Sequence, residues 1–327
     1  MRALPRKWRI HSKRLLSTAS TVTSNATNTI TRDVCILGGG VSGSFAATRL
    51  RDAGLTVALV EPRGKQLGGH TLTYYRYDNN NDKRRIEAGV SAYRDSPKAR
   101  QFFKRFGIRL VPTGAPPPIY VDFETDRPLE LPEAELVEEL SRYSAQLAKY
   151  PFLDDGFALP HPVPKDLLMP FGSFIEKHEL DGIALLAARF CQGLPDVFSL
   201  PTLYVMKNFG SSAITALKRG FLVPDGVDNS ELYRRVQTEF AGDVLFGKPV
   251  VLERDDTNGV RVSVASSPGQ TICIQAQKLL VTLPPTPSVL AETLELDENE
   301  RHLFEQFIPS TYHSIICLLY TSDAADD

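Results

Sequence analysis

The chain has 327 residues, of which 42% are hydrophobic and 23% charged, a composition typical of a globular protein with one large or two moderate domains. No apolar run approaches the roughly 18 residues that a membrane-spanning helix needs, so no transmembrane segment is predicted. The net charge is -2, but residues 1–32 carry seven Lys/Arg and no acid, which leaves an acidic body and argues against a charge-driven nucleic-acid binder.

The N-terminal segment differs in composition from the rest of the chain. It is basic and then Ser/Thr-rich, without the continuous apolar stretch of a secretory signal. This favours a mitochondrial presequence and a mitochondrial location, with a disordered tail or a misassigned start codon on a cytoplasmic protein as the alternatives. In each case residues 1–32 are predicted to lie outside the fold.

The cysteines and histidines are scattered. No Cys-x-x-Cys pair occurs, and no histidines lie at metal-ligand spacing. We therefore predict neither a metal site nor a disulfide framework. The cysteines are Cys35, Cys191, Cys273 and Cys317.

Residues 33–61 have the pattern of one βαβ unit, in which an apolar strand, a glycine turn, a helix and a second apolar strand follow one another. The glycines Gly38, Gly40 and Gly43 form G-x-G-x-x-G directly after the first strand, which is typical of a dinucleotide-binding turn. The first glycine permits the tight turn, the second lets the backbone approach a pyrophosphate, and the third lets the helix pack closely on the strands. A glycine-rich turn without a ligand is the alternative.

The helix after this turn, which Gly54 is expected to end, supplies a phosphate site. Its first N–H groups, those of Val41 and Ser42 among them, and the positive end of its dipole offset the pyrophosphate charge. Glu61 closes the second strand, where its carboxylate can accept hydrogen bonds from ribose hydroxyls. A 2′-phosphate would be repelled by this carboxylate, which disfavours NADP. The nearby Arg63 could attract such a phosphate, so NADP is not excluded.

A second glycine pair favours flavin over nicotinamide. Gly68 and Gly69 follow Glu61 by a short loop and precede an extended Thr-rich segment. The order G-x-G-x-x-G, Glu, Gly-Gly resembles the flavin-containing amine oxidase and phytoene desaturase superfamily, in which most members have Arg after the pair where this chain has His70. The run GGHTLTY, followed by RRIEAGVSAYRDSPKARQFFKRFGI, is similar to the fungal branch of FAD-dependent amine oxidoreductases that includes β-cyclopiazonate dehydrogenase.

This resemblance implies FAD as the cofactor. The glycine pair would lie against the pyrophosphate and ribityl chain, and Gly89 in the segment IEAGVSAY would let the backbone approach the flavin ring. His70 would replace the usual arginine near the phosphates, contact the flavin or carry it covalently, and we favour the first of these. Val250 corresponds to a position whose backbone pairs with adenine, and Thr282 to the strand that returns toward the dinucleotide. Without the resemblance, Gly89 is a plain strand turn and Val250 a packing residue.

Helix signals follow the flavin-like segment. Ser96 and Pro97 open a helix that Gly107 ends, and the proline-rich stretch 111–131 contains only short strand-like pieces. The next helix, over residues 133–149, is expected to place one apolar stripe in the core. That stripe comprises Leu136, Val137, Leu140, Tyr143 and Leu147.

The second half of the chain contains more helices and then strands. Ser173 and Glu176 have the spacing of a capping box, the apolar helix IALLAARFC follows, and Asn229 is predicted to be the N-cap of a later helix. The runs LFGKPVVLERD, GVRVSVA and TICIQAQKLLVTLP predict an antiparallel sheet with turns at Asn258-Gly259 and Pro268-Gly269.

These elements predict an α/β fold with a Rossmann-like FAD-binding domain, built from a parallel sheet plus an antiparallel β-meander, and a mostly helical substrate-domain insertion. The FAD-binding domain is predicted in two parts on either side of the insertion. The expected boundaries are 1–32 for the tail, 33–110 and 206–316 for the two FAD-binding parts, 111–205 for the substrate domain and 317–327 for a non-native tail.

The last stretch of the chain, CLLYTSDAADD, matches no element of such a fold and reads like translated sequencing adapter. We therefore predict that residues 317–327 are not natural and that the natural chain continues beyond them, with an unusual acidic tail as the alternative. The resembled family has a further C-terminal segment that completes the substrate cavity, so the chain as written is predicted to be inactive.

The predicted function is an FAD-dependent oxidoreductase of amine-oxidase type. It would transfer a hydride from a C–N or adjacent C–H bond of a small organic substrate to flavin. No acid, base or nucleophile is implied by the spacing, so no catalytic residue is predicted. The alternatives are a non-catalytic dinucleotide-binding fragment and an NAD-dependent dehydrogenase.

Overall fold

The computed structural model describes residues 28–77, 83–113, 121–122, 124–125, 127–128, 133–154, 156, 158–255, 257–267, 270–311 and 313–316. Some of the predictions fall outside these residues. They concern most of the N-terminal presequence, the strand-like piece PPPIY, the Pro268-Gly269 turn and the C-terminal tail from residue 317 onward.

In the described part of the chain, ten strands form one six-stranded sheet and two small antiparallel pairs. The large sheet has the order β7-β2-β1-β10-β9-β8, and the small pairs are β3-β4 and β5-β6. The strands are β1 Asn28–Leu37, β2 Val57–Glu61, β3 Thr73–Tyr77, β4 Lys83–Glu87, β5 Leu110–Pro112, β6 Leu222–Pro224, β7 Val244–Phe246, β8 Lys248–Asp255, β9 Gly259–Ser267 and β10 Gln270–Val281.

Eleven helices lie between and after these strands within the described residues. Most of them occupy the stretch between β5 and β6. The helices are α1 Val41–Asp52, α2 Pro97–Arg105, α3 Glu133–Leu147, α4 Lys165–Leu168, α5 Phe171–His178, α6 Asp181–Phe190, α7 Thr202–Asn208, α8 Ser211–Arg219, α9 Glu231–Glu239, α10 Pro287–Leu290 and α11 Glu298–Phe304.

The large sheet is parallel at its centre and antiparallel at one side. β1 pairs in parallel with both β2 and β10, and β2 pairs in parallel with β7. β10, β9 and β8 then form an antiparallel meander. Alternating side chains of β1 point to opposite faces, so that Val34 and Ile36 join a core beneath α1 and α9, while Cys35 and Leu37 pack against the apolar side chains of β9.

The first strand begins earlier than predicted. Residues 28–32, expected to lie outside the fold, belong to β1, where Asn28 pairs with Ile272 and Thr31 with Gln275 of β10. Arg32 also donates two hydrogen bonds to Asp243, at 2.9 and 2.6 Å. The Ser/Thr-rich composition of these residues does not predict a strand. The strand forms because it pairs with β10 near the other end of the chain, and a local sequence pattern contains no information on so distant a partner.

The helices between β5 and β6 have a core of their own, centred on buried side chains such as Tyr143, Phe171 and Ile183. Val137, predicted to be in the core, is 68% exposed, because it lies beside rather than on the stripe that Tyr143 and Leu147 bury. Ser173 is also not a helix cap. Its helix begins at Phe171 after Pro170, which places Ser173 inside the first turn.

Other local predictions are confirmed. Ser96 caps α2 through its side chain, which accepts a hydrogen bond from the Ala99 N–H at 3.1 Å, with Pro97 at the first helical position. Gly54 follows the end of α1 with φ +86°. Among the described residues, no helix combines the length and apolar character that crossing a membrane requires.

The buried position of Cys35 gives a first testable prediction. Burial raises the pKa of its thiol to about 12. Between about pH 8.5, the usual value for a thiol, and this raised pKa, the folded protein holds a proton that the unfolded chain loses. The free energy of unfolding should therefore fall with rising pH by up to about 1.4 kcal/mol per pH unit in this window.

Urea unfolding of the native protein and of Cys35→Ala between pH 8.5 and 11 isolates this contribution. The native protein should lose stability more steeply than the variant. Thiol labelling at pH 8 should reach Cys35 only after unfolding, whereas labelling of Cys35 in the folded protein would contradict the prediction.

Candidate functional site

The glycine turn between β1 and α1 has the close packing that the sequence predicts. Gly38 has φ +108°, a conformation that favours glycine. A Cβ on Gly43 would lie 1.8 Å from the Gly38 carbonyl oxygen, so the helix approaches the turn more closely than any side chain allows. Thr282, directly after β10, has its hydroxyl oxygen 2.9 and 3.0 Å from the carbonyl oxygens of Leu37 and Gly38, which share its single proton. This contact fixes the turn to β10, the strand next to β1 in the sheet.

The N-terminal end of α1 is open. Gly40 is its N-cap, no side chain caps the end, and no acidic residue lies in the first turn. Val41 and Ser42 are exposed, and the Ser44 N–H makes the first helical hydrogen bond, to the Gly40 carbonyl at 2.9 Å. The preceding N–H groups have no partner within the helix, which makes this end suited to an anion.

Glu61 lies directly beneath the turn. The residue is only 5% exposed, and one of its carboxylate oxygens accepts a hydrogen bond from the Gly39 N–H at 2.8 Å. The other oxygen accepts one from the Arg63 N–H at 2.7 Å, while the Arg63 residue itself is exposed. Each carboxylate oxygen can accept a further hydrogen bond. The contact to Gly39 was not predicted, although the run of three glycines at 38–40 signals close backbone packing.

The second glycine pair packs against the first turn. Gly68 and Gly69 both have positive φ, at +138° and +57°. A Cβ on Gly69 would lie 2.8 Å from the Gly40 Cα, and the Gly68 N–H donates to the Gly39 carbonyl at 3.0 Å. The two glycine segments, which the intervening helix and strand separate in the sequence, therefore form one continuous backbone surface, of which Gly40 and Gly69 reach solvent while the other glycines are buried.

Gly89 lies beside the residues that follow this pair. A Cβ on Gly89 would lie 1.9 Å from the His70 carbonyl oxygen, and the Val90 N–H donates to that same oxygen at 3.1 Å. The Ala88 N–H donates to the Leu72 carbonyl at 2.8 Å. The chain thus brings His70 and Gly89 together through backbone contacts, and the exposed His70 residue remains accessible from solvent.

Asn229 holds the segment after Gly89 and is not the predicted helix cap. Its side-chain amide donates to the carbonyls of Val90 and Ser91, at 2.6 and 3.1 Å, and its backbone N–H donates to Glu87 at 3.1 Å. The N-cap position of α9 belongs to the next residue, Ser230. The Val90 and Ser91 carbonyls hold the Asn229 side chain away from the helix end, and its amide oxygen is buried without a hydrogen-bond partner in the described part of the chain, so it caps no N–H.

A buried polar network continues from Asn229 to the β3-β4 pair. Asp228 accepts hydrogen bonds from Tyr75 and, at 2.7 Å, from Arg234. Burial opposes the ionisation of Asp228, but these hydrogen bonds outweigh it and hold the pKa of its carboxyl below the usual range. Thr73 joins the network through a 2.8 Å bond to Glu87. Sequence reasoning missed these residues because their partners are distant in the chain.

Val250 lies apart from the glycine surface. It is on β8, the outermost strand of the large sheet, where it pairs with Ser263 and is 42% exposed. The link to the turn runs through the preceding residues, since Phe246 of β7 pairs with Glu61 and the Gly247 N–H donates to the Glu61 carbonyl at 3.0 Å. The adenine role of Val250 remains a prediction.

The Asn229 contacts give a second prediction. Asn229 is itself only 1% exposed. Asn229→Ala removes the donors that the Val90 and Ser91 carbonyls use, so the free energy of unfolding should fall by about 1–3 kcal/mol. Asn229→Asp keeps the shape but sets carboxylate oxygens against carbonyl oxygens, and should be destabilised at least as much at pH 7. Urea unfolding measures both variants. Equal stability of Asn229→Asp and the native protein would contradict the assignment.

Comparisons with known proteins agree with this architecture. Residues 36–106 match the NAD(P)-binding Rossmann-like domain family. The chain is 34% identical over 295 residues to the FAD-dependent oxidoreductase oblC of Cochliobolus heterostrophus, covering 87% of this chain and 60% of that protein. It is 35% identical over 316 residues to β-cyclopiazonate dehydrogenase of Aspergillus oryzae, covering 93% and 65%. The chain thus spans less than two thirds of the length of these curated relatives.

Solved structures share the fold at lower identity. Putrescine oxidase bound to putrescine has a TM-score of 0.63 at 20% identity, covering 85% of this chain and 64% of that one. Cyclohexylamine oxidase from Brevibacterium oxydans has a TM-score of 0.59 at 17% identity, covering 84% and 62%. These likenesses confirm the predicted fold class. The predicted domain boundaries and site residues remain predictions.

Proposed function

Because the chain is a homologue of fungal FAD-dependent oxidoreductases, we propose that it forms the dinucleotide-binding part of such an enzyme and holds FAD at the glycine turn. The observation that carries this proposal is the continuous glycine surface. It joins the uncapped end of α1 to the Gly68-Gly69 pair, with the Glu61 carboxylate buried directly beneath.

The residues present suit the ADP half of FAD. The N–H groups of Val41 and Ser42 at the open helix end would bind the pyrophosphate, and Glu61 would accept hydrogen bonds from the ribose hydroxyls. Gly69 and Gly89 would act indirectly, because their missing Cβ atoms let Gly69 pack on Gly40 and Gly89 on the His70 carbonyl, which holds these two segments beside the proposed cofactor site. When bound, FAD would supply the acceptor for a hydride from a C–H bond of a small organic substrate, such as the C–H bond adjacent to an amine nitrogen.

This chain's own residues would mainly position the cofactor. Thr282 and Gly43 fix the turn, and Asn229 fixes the segment after Gly89. None of the three is assigned a proton-transfer step. In the proposed enzyme they set the geometry on which efficient transfer depends.

The test is the identity of the bound nucleotide. Protein purified from a flavin-sufficient host should be yellow and release FAD on denaturation, and the apoprotein should take up FAD in preference to NAD. Folded, colourless protein that retains nicotinamide nucleotide would overturn the proposal in favour of an NAD-dependent dehydrogenase. Folded protein that binds neither nucleotide would overturn the proposal outright, whereas protein that binds FAD but oxidises no amine would favour a non-catalytic dinucleotide-binding fragment.

We also propose a mitochondrial location, because the N-terminal residues have the basic, acid-free composition of a presequence. Because β1 begins at Asn28, the targeting segment would comprise residues 1–27. Fusing this segment to a fluorescent protein should direct it to mitochondria, and diffuse cytoplasmic fluorescence would contradict the proposal.

A further inference from the structure

Arg94 is a half-buried cation with little to compensate it. Among the described residues its guanidinium makes one hydrogen bond, to the carbonyl of Asn208 at the end of α7, although it carries five N–H donors. No carboxylate in the described part of the chain pairs with it. The adjacent Asp95 is engaged by Arg100 through bonds of 2.6 and 2.8 Å. Burial also lowers the pKa of Arg94, as expected for a charge without a counter-ion.

The Cys191 thiol, which interacts electrostatically with Arg94, does not neutralise its charge. Cys191 is the C-cap of α6. Burial raises the pKa of this thiol to about 11, although Arg94 opposes the shift. At neutral pH Cys191 is therefore uncharged, and an anion from outside the chain would gain from the unpaired guanidinium.

The backbone holds Arg94 at a defined place. The preceding residue, Tyr93, forms a bridge with Leu222 in which each N–H donates to the other's carbonyl at 2.8 Å. Arg94 directly follows the Gly89–Tyr93 stretch, whose carbonyls at Val90 and Ser91 are held by the Asn229 side chain. Its side chain extends to the C-terminal ends of α6 and α7, within the helical part of the chain.

Stacked aromatic rings adjoin the residues that Arg94 contacts. Phe190 stacks on Phe209 and Phe221, with ring centroids 5.1 and 5.7 Å apart. Phe190 directly precedes Cys191 in the chain and Phe209 directly follows Asn208. Phe190 and Phe221 are only partly buried, so they offer apolar surface next to the cation.

We propose that Arg94 binds the anionic group of the substrate, and that the substrate is a small organic anion with a flat apolar body. An alternative role for Arg94 is that of a cap for α7. That role uses one donor and places the charge at the negative end of the helix dipole, but the other guanidinium donors, none of which is buried without a partner, stay open to a ligand from solution. The identification of the anion as substrate rests on the proposed function; the binding site itself does not.

Benzoate is a suitable probe because it combines a carboxylate with a flat ring, and benzamide is its neutral counterpart. Calorimetric titration of the full chain should show benzoate binding that is at least about tenfold tighter than benzamide binding, since charge-assisted hydrogen bonds add to affinity. Arg94→Met should weaken benzoate binding by about 10- to 100-fold, and Arg94→Lys should retain part of it. Arg49→Met, at an exposed position on α1, should leave it unchanged.

Circular dichroism establishes whether each variant folds, and if Arg94→Met does not, Arg94→Lys and the benzoate-to-benzamide ratio of the native protein decide the question. Absence of benzoate binding, equal binding of both probes, or an unchanged Arg94→Met protein would each overturn the proposal. FAD content is measured separately from released flavin. FAD binding without benzoate binding would refute the Arg94 site alone, and benzoate binding without FAD would refute the proposed function alone.

Discussion

The Gly43→Ala protein is expected to lose its capacity to bind FAD and to unfold at markedly lower urea concentration. The added Cβ would lie 1.8 Å from the Gly38 carbonyl oxygen and 3.0 Å from the Thr282 hydroxyl oxygen. The first of these atoms is backbone, so the clash can be relieved only if α1 moves away from β1. Overpacking of this kind should reduce the free energy of unfolding by about 3 kcal/mol, the upper end of the usual range.

Gly193→Ala is the matched control. A Cβ on Gly193 would meet no atom within 4 Å, and its φ is not in the left-handed region, so its stability and FAD affinity should match those of the native protein. Urea unfolding and fluorescence titration with FAD compare the two variants. If Gly43→Ala behaves like Gly193→Ala, the close approach of helix and turn does not exist in solution.

Local backbone requirements explain which features were predictable. Only glycine at position 43 lets α1 approach the Gly38 carbonyl so closely. Ser96 caps α2 because it has a short polar side chain and directly precedes Pro97, the first residue of the helix. Such requirements depend on neighbours in sequence and therefore leave a readable pattern. The β8-β9-β10 meander follows the same logic, because its strands are consecutive and the Asn258-Gly259 turn sets the pairing of β8 with β9.

Features that depend on distant partners were not predictable. Asn229 resembled a helix cap because its chemistry suits one, yet its amide is used by carbonyls that lie far earlier in the chain. Residues 28–32 resembled a tail until β10 supplied their partner strand. Arg94 has no motif at all. Its unusual position emerges only when the ends of α6 and α7 are brought beside it.

The Glu61→Gln protein is expected to bind FAD far more weakly while remaining folded. The carboxylate accepts hydrogen bonds from the Gly39 and Arg63 N–H groups at 2.8 and 2.7 Å. An amide offers only one acceptor oxygen and turns an NH₂ group toward the other donor. The loss of one charge-assisted hydrogen bond should cost about 1.5–3 kcal/mol of stability, and loss of the ribose contact should weaken FAD binding by about 10- to 100-fold.

The relation between these two losses tests the role assigned to Glu61. Glu138→Gln, at a side chain that is 74% exposed, provides the control and should change neither quantity appreciably. If Glu61→Gln loses stability but its folded fraction binds FAD as tightly as the native protein, the carboxylate only shapes the turn. A nucleotide role requires that affinity fall by more than the unfolding of the protein explains, because only then does the buried carboxylate contact the cofactor as well as the backbone of the glycine turn.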